Sequence, residues 1–209
     1  MAGTGVALRL NALLQQAGLE PLNSAAAARF EAYLSLYVRW NARVNLSAIR
    51  DEEEIISRHI IESIVVACAL PQGVSSLLDF GSGGGLPGIP IAICRPEIAV
   101  TLAESQGKKA AFLHEVARAL PLNVKVFTGR AETIADFFDC VILRAVDKMP
   151  KAVSVAARLV GPKGWLALMT TTNELAALKM AAGRDFVWKL QTQLQHAAKR
   201  IVAFGARQS

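Results

Sequence analysis

Only 3 cysteines occur in 209 residues, and Cys68, Cys94 and Cys140 lie far apart, each in apolar sequence. An odd, scattered set of this kind excludes a disulfide framework and offers no metal-ligand spacing, so core thiols in a reducing cytoplasm and no bound metal are expected. No apolar run reaches the roughly 18 residues that cross a bilayer. The first segment, Met1 to Leu19, is amphipathic, contains Arg9 and lacks the apolar stretch of a secretion signal. A cytoplasmic protein without a membrane contact is therefore expected. There is no internal repeat, and the short tract Ala25–Ala28 is simply helix-forming. What the chain has in plenty is hydrophobic side chains, 53% of the total against 19% charged, enough for one ordinary domain with a large core.

Cationic excess is also missing from most of the chain. Residues 1–70 carry 6 basic and 7 acidic groups, and residues 71–143 carry 6 and 7 again. The net charge of +6 therefore comes from residues 144–209, with 11 basic and 3 acidic groups. A basic face of that kind suits a polyanion, although a merely solvated surface accounts for it equally well.

Residues 1–73 read as a helical extension. Val6–Ala17 forms one helix, and Ser24 is placed to cap a second that carries Phe30, Tyr33, Leu34, Tyr37 and Trp40 at helical spacing. A third runs from the acidic start Asp51-Glu52-Glu53-Glu54 towards Leu70. From residue 74 to 209 short apolar strands alternate with helices: Leu77–Phe80, Ala99–Ala103, Val124–Phe127, Cys140–Leu143 and Trp165–Met169. Such alternation implies an α/β fold with a parallel sheet covered on both faces. Two further strands, Phe186–Gln191 and Arg200–Phe204, would close it as an antiparallel hairpin.

The densest motif is Leu77-Leu78-Asp79-Phe80-Gly81-Ser82-Gly83-Gly84-Gly85-Leu86-Pro87-Gly88. A buried strand runs into a glycine turn, with Pro87 suited to the first turn of the next helix. A turn without a ligand needs one glycine; five in eight positions suit a backbone that a nucleotide-like ligand approaches closely. In an open parallel sheet the ligand lies beyond the strand C-termini. That rule selects Gly81 to Gly88, Glu104-Ser105, Ala131-Glu132, Arg144 and Met169-Thr170. Glu104, ending the second strand, is placed to accept both ribose hydroxyls of an adenosine-bearing ligand. The motif admits either a dinucleotide or S-adenosylmethionine. A single glycine turn, the closing hairpin and the basic last third argue for the latter.

At Asn45-Leu46-Ser47, Arg58-His59-Ile60-Ile61-Glu62-Ser63, Asp79 to Pro90, Gly107-Lys108-Lys109 and Arg144-Ala145 the chain resembles the RsmG (GidB) family of bacterial rRNA methyltransferases. The resemblance covers nearly the whole chain. It implies a class I methyltransferase (Rossmann-like) fold and methyl transfer from S-adenosylmethionine to N7 of one guanine in the decoding-region loop of 16S rRNA. By matched position it implies cofactor contacts from Gly81, Leu86, Ala131, Glu132 and Arg144. To these the strand-end rule adds Gly83, Gly85, Glu104 and Ser105. Arg144 is the candidate catalytic residue, and His59, Lys148 and Lys163 are the candidate RNA contacts. A lone histidine on an apolar helix is more often a packing residue, but the motif around His59 favours the pocket. Lys108 and Lys109 suit RNA or solvent alike; His114 and His196 read as structural.

The fourth strand ends Leu143-Arg144-Ala145-Val146, without the Asn/Asp-Pro-Pro-aromatic set used on exocyclic amines and without a Pro-Cys nucleophile. That suits N7 of guanine, which has a lone pair and no proton to lose. Glu62 and Glu104 stand where the family usually has Asp, and Met169-Thr170 replaces a common Lys-Gly pair, with Lys163 or Lys148 as candidate substitutes. The expected partner is 16S rRNA or the small ribosomal subunit, with the chain acting as a monomer. The competing readings are an NAD(P)-dependent oxidoreductase and a catalytically inactive rRNA-binding relative.

Overall fold

A computed structural model describes residues 5–194 and 199–208; His196 lies outside them. Helix α1 spans Gly5–Gln16 and α2 Ser24–Val44. The cap of α2 is Asn23 rather than Ser24: its side chain accepts from the Ala26 amide at 2.9 Å, leaving Ser24 as the first helical residue. The aromatic stripe of α2 is packing, as its spacing predicts. Phe30, Tyr33 and Tyr37 are buried, and Tyr37 and Trp40 both lie against Phe112.

The third helix is not uniform. α3 (Glu52–Ile55), with Asp51 as its cap, passes through a π turn at Ile56–Ile60 into α4 (Ile61–Ala69). There the Ile61 amide reaches back five residues to the Ile56 carbonyl. Such turns recur at functional sites because the extra residue re-aims the side chains beside it. Here those are Arg58 and His59.

The sheet follows as β1 (Ser76–Phe80), β2 (Ala99–Glu104), β3 (Val124–Thr128), β4 (Phe138–Arg144), β5 (Val160–Thr171), β6 (Phe186–Gln193) and β7 (Arg200–Arg207). Its order is β3-β2-β1-β4-β5-β7-β6. β1 to β5 pair in parallel, whereas β7 lies antiparallel between β5 and β6. Four helices accompany the strands: α5 (Gly88–Cys94), α6 (Gly107–Ala119), α7 (Met149–Leu159) and α8 (Leu175–Ala182). Pro87 sits at the cap of α5, one place ahead of the expected first turn.

Alternate residues of each strand face opposite layers. Leu77, Leu102, Ile142 and Ala167 join α1, α2 and α4 to α6 in one core, while Leu78, Val141, Leu143 and Leu168 pack on α7 and α8. The N-terminal helices thus share a core with the sheet and overhang the C-terminal ends of its central strands. Of the three thiols, Cys140 is buried and Cys94 partly so, but Cys68 is exposed, against expectation. Its side chain lies on the outer rim of α4, beside the chain entering α2. No described helix is long and apolar enough to cross a membrane.

Candidate active site

The glycine turn is tied down mainly by its own backbone. The Gly81 and Ser82 amides donate to the Ala103 carbonyl at 3.0 and 2.9 Å, and the Gly85 amide donates to the Ser82 carbonyl at 2.8 Å. Tyr33 of α2 donates its hydroxyl to the Gly84 carbonyl at 2.5 Å. Asp79, fully buried at the end of β1, accepts from the Gly88 amide at 3.0 Å, and burial pushes its carboxyl up to about 6. The glycines do different work. A Cβ on Gly88 would lie 2.4 Å from Leu102 and 2.7 Å from the Asp79 carboxylate, so this position needs glycine for close approach. Gly83, at φ +56°, has open space on its outer side and faces the crevice. Gly85, expected as a cofactor contact, lines neither hollow of the crevice, and a side chain there would meet Ile89 and Leu113, so packing requires glycine.

Glu104 is buried at the end of β2, where its Oε2 accepts from the Gly83 amide at 2.8 Å and its Oε1 from the Gln106 amide at 2.7 Å. One carboxylate thereby fixes the turn and the start of α6 while lining the crevice. The crevice has two adjoining hollows of about 370 and 430 Å³ that share Gly81, Ser105, Gln106, Val146 and Asp147. Ala131, Glu132 and Lys148 line the first, with Arg130 and Lys151 beside them. Gly83, Leu86, Glu104 and Lys109 line the second, together with Tyr37, Ser47, His59 and Arg144.

Lys163 is elsewhere. It precedes the paired stretch of β5 in which Trp165 faces Cys140, and Cys140 faces Leu77 near the start of β1. Residues leading into a parallel strand lie at the edge opposite those leaving it, so Lys163 cannot reach the crevice.

The inner wall of the second hollow is a buried charged network. Glu62 of α4, 1% exposed at its side chain, accepts through Oε2 from Arg144 at 3.2 Å and pairs through the same oxygen with the Arg200 guanidinium at 2.9 Å. The same Arg144 nitrogen donates to Nδ1 of His59 at 2.6 Å, and Nε2 of His59 lies 3.0 Å from the Ser47 hydroxyl. Burial, then the Arg144 charge, pushes His59 down to about 3, so its ring is neutral. Burial also raises the Glu62 carboxyl against the pull of both arginines and lowers Arg144. Among the described residues, Arg144 Nη1, Glu62 Oε1 and the Tyr37 hydroxyl are buried without a hydrogen-bond partner. Two guanidiniums against one carboxylate leave positive charge and free donors beside the hollow.

Sequence reasoning missed Arg200 and the bridging role of Glu62. Glu62 was visible as the one charge inside Ile60-Ile61-Glu62-Ser63-Ile64-Val65-Val66. Arg200 gave no such signal, since only the β5–β7 pairing sets it opposite Thr171. It supplies a cation near the strand end where Met169 is buried, a position that neither Lys148 nor Lys163 takes.

A sheet of this order, with a glycine turn after β1, an acid after β2 and a crevice over both, defines a class I S-adenosylmethionine-dependent methyltransferase. Solved structures agree on the fold. Mitomycin 7-O-methyltransferase MmcR aligns with TM-score 0.61 at 17% identity, over 89% of this chain and 69% of that one. A methyltransferase from Aquifex aeolicus gives 0.58 at 14%, over 74% and 93%. The family model for rRNA small subunit methyltransferase G (GidB) matches residues 26–202, and the chain belongs to that family. A relative so named from Neisseria meningitidis serogroup A is 40% identical over 95% of this chain and 98% of its own length. One from Xanthomonas axonopodis pv. citri is 42% identical over 76% and 77%.

The protein is thus an S-adenosylmethionine-dependent methyltransferase of 16S rRNA. The match lends no support to a dinucleotide oxidoreductase or an inactive relative. The residues present fit the cofactor: an open main-chain turn at Gly83, a carboxylate at Glu104, and an unpaired buried donor on Arg144.

Proposed function

We propose that the chain methylates N7 of a guanine in the decoding-region loop of 16S rRNA, acting as a monomer on the small subunit. The observation that carries the choice of atom is the state of His59. It is the one imidazole lining the crevice among the described residues, and both its nitrogens are engaged, one by Arg144 and the other by Ser47. It therefore cannot take a proton from an acceptor, as attack by an exocyclic amine would require, whereas N7 has none to give up.

In this reading Gly81, Gly83 and Leu86 seat the cofactor, and Glu104 with Ser105 receives its ribose. Ala131 and Glu132 line the adenine side, and Arg144 faces the reacting end. When bound, the cofactor supplies an electrophilic methyl group that an unassisted ring nitrogen can accept. What the chain contributes is alignment, and holding two reactants in register is worth several kcal/mol. Lys148 and Lys151, beside the first hollow, receive RNA phosphates. The helical extension, residues 1–73, supplies the acceptor wall to the core of residues 74–209.

The test uses small subunits lacking the modification, incubated with methyl-tritiated S-adenosylmethionine. Label should enter 16S rRNA and coincide with cleavage selective for N7-methylguanine. Label at another atom, or none, contradicts the reading.

A further inference from the structure

The hydrogen-bond order in the acceptor wall fixes a direction. Arg144 can only donate, so Nδ1 of His59 is an acceptor, and the neutral ring must carry its proton on Nε2. That proton is donated to Ser47 Oγ, which also accepts from the Ile49 amide at 3.0 Å. Both lone pairs of the hydroxyl are then filled, and its own hydrogen is the donor left over. The neighbouring Tyr37 hydroxyl has no partner in full hydrogen-bond geometry, and Ser47 acts on it as a donor, pulling its pKa down against burial, so nothing donates back to Ser47.

The segment carrying Ser47 is held in place. Asn41 accepts from the Ser47 amide at 2.9 Å and donates to the Ile49 carbonyl at 2.8 Å, while Arg50 ties Asn41 to Asn45. Ser47, His59 and Arg144 line one hollow, so this oriented chain ends on a hydroxyl donor within the crevice.

We infer that Ser47 is a specificity-determining residue that donates a hydrogen bond to O6 of the target guanine, with His59 as the positioning residue that orients it. The inference rests on the N7 reading above. Guanine presents two acceptors on that edge, N7 and O6; N7 takes the methyl group and O6 remains. Adenine has an amino donor in place of O6, so a fixed hydroxyl donor there opposes a second donor. A site built to hydrogen-bond one group rejects a substrate that lacks it more strongly than a merely apolar pocket would.

The test is a cycle. Small subunits are reconstituted from 16S rRNA carrying guanine or 2-aminopurine, which lacks O6 and the N1 proton but keeps N7 and the 2-amino group, at the methylated position. Single-turnover transfer is measured with saturating cofactor for the parent and Ser47→Ala. Any change in N7 reactivity is common to both proteins. The parent should lose about tenfold more than Ser47→Ala when O6 is removed, and both should bind S-adenosylmethionine alike. Ser47→Thr keeps a hydroxyl and should keep the discrimination; Ser47→Cys replaces Ser47→Ala if the latter does not fold. His59→Gln, which can still accept from Arg144 and donate to Ser47, should retain more discrimination than His59→Leu. An equal loss in the parent and Ser47→Ala overturns the inference. A parent that does not methylate N7 of guanine overturns the underlying reading instead, and the inference with it.

Discussion

The two sides of the crevice are made of different material. Under β1 and β2 it is main chain: a glycine turn whose amides and carbonyls bond to one another, to Ala103 and to one carboxylate. Under α2, the π turn, β4 and β7 it is long side chains, with Glu62 holding two arginines and Arg144 passing a hydrogen bond to His59. Main chain in a tight turn is rigid and tolerates few substitutions. A buried ion network is rigid only while every member is present, because a lost partner leaves an uncompensated charge. Tyr33 of α2 joins the two sides, donating its hydroxyl to the Gly84 carbonyl.

The largest effect should come from breaking the network. Glu62→Ala removes the carboxylate that pairs with both Arg144 and Arg200 and should cost about 3–5 kcal/mol of stability in urea unfolding. A loss below about 1 kcal/mol would mean that packing alone holds the acceptor wall.

The main-chain side has its own buried charge. Asp79 titrates at about 6 in the fold against an ordinary 3.8, so the fold favours its protonated form. Its stabilising contribution is full below the lower value and is lost as pH rises through the higher. Relative to Asp79→Asn, the parent should therefore gain about 2 kcal/mol between neutral pH and about pH 4.5. A flat difference would contradict the burial argument.

Next comes Glu104→Ala, which frees the Gly83 amide and removes the proposed ribose acceptor. Cofactor affinity should fall by about 1.5–3 kcal/mol in a calorimetric titration. An unchanged constant would refute the ribose role. Smallest is the pair Lys148→Glu and Lys163→Glu. The first should lower the salt dependence of RNA binding by about one unit of slope, and the second, at the opposite edge, should not change it. Equal changes would mean that the RNA face extends around the sheet.

The same contrast explains what was legible beforehand. Everything on the main-chain side is local: the turn follows its strand directly, and Glu104 could be placed because the second strand ends on it. Strand positions and the closing hairpin follow from periodicity for the same reason. The acceptor wall joins residues from 47 to 200, and no spacing announces that Arg200 meets Glu62. The π turn that sets His59 is invisible in a pattern that reads as one helix. Lys163 is a different kind of miss. Its charge suited RNA, but a residue in the first part of a parallel strand belongs to the far edge of the sheet. Composition alone overstated the basic last third, since Lys163 and Lys179, which stacks over Trp188, lie away from the crevice.

The division of labour between the two sides is tested most directly by the S-adenosylmethionine dissociation constant, measured calorimetrically in Glu104→Ala and Arg200→Ala. The account predicts about tenfold or greater weakening in the first. In the second it predicts a constant within about twofold of the parent, while transfer to small subunits falls. Cofactor binding that is lost in Arg200→Ala and kept in Glu104→Ala would contradict it.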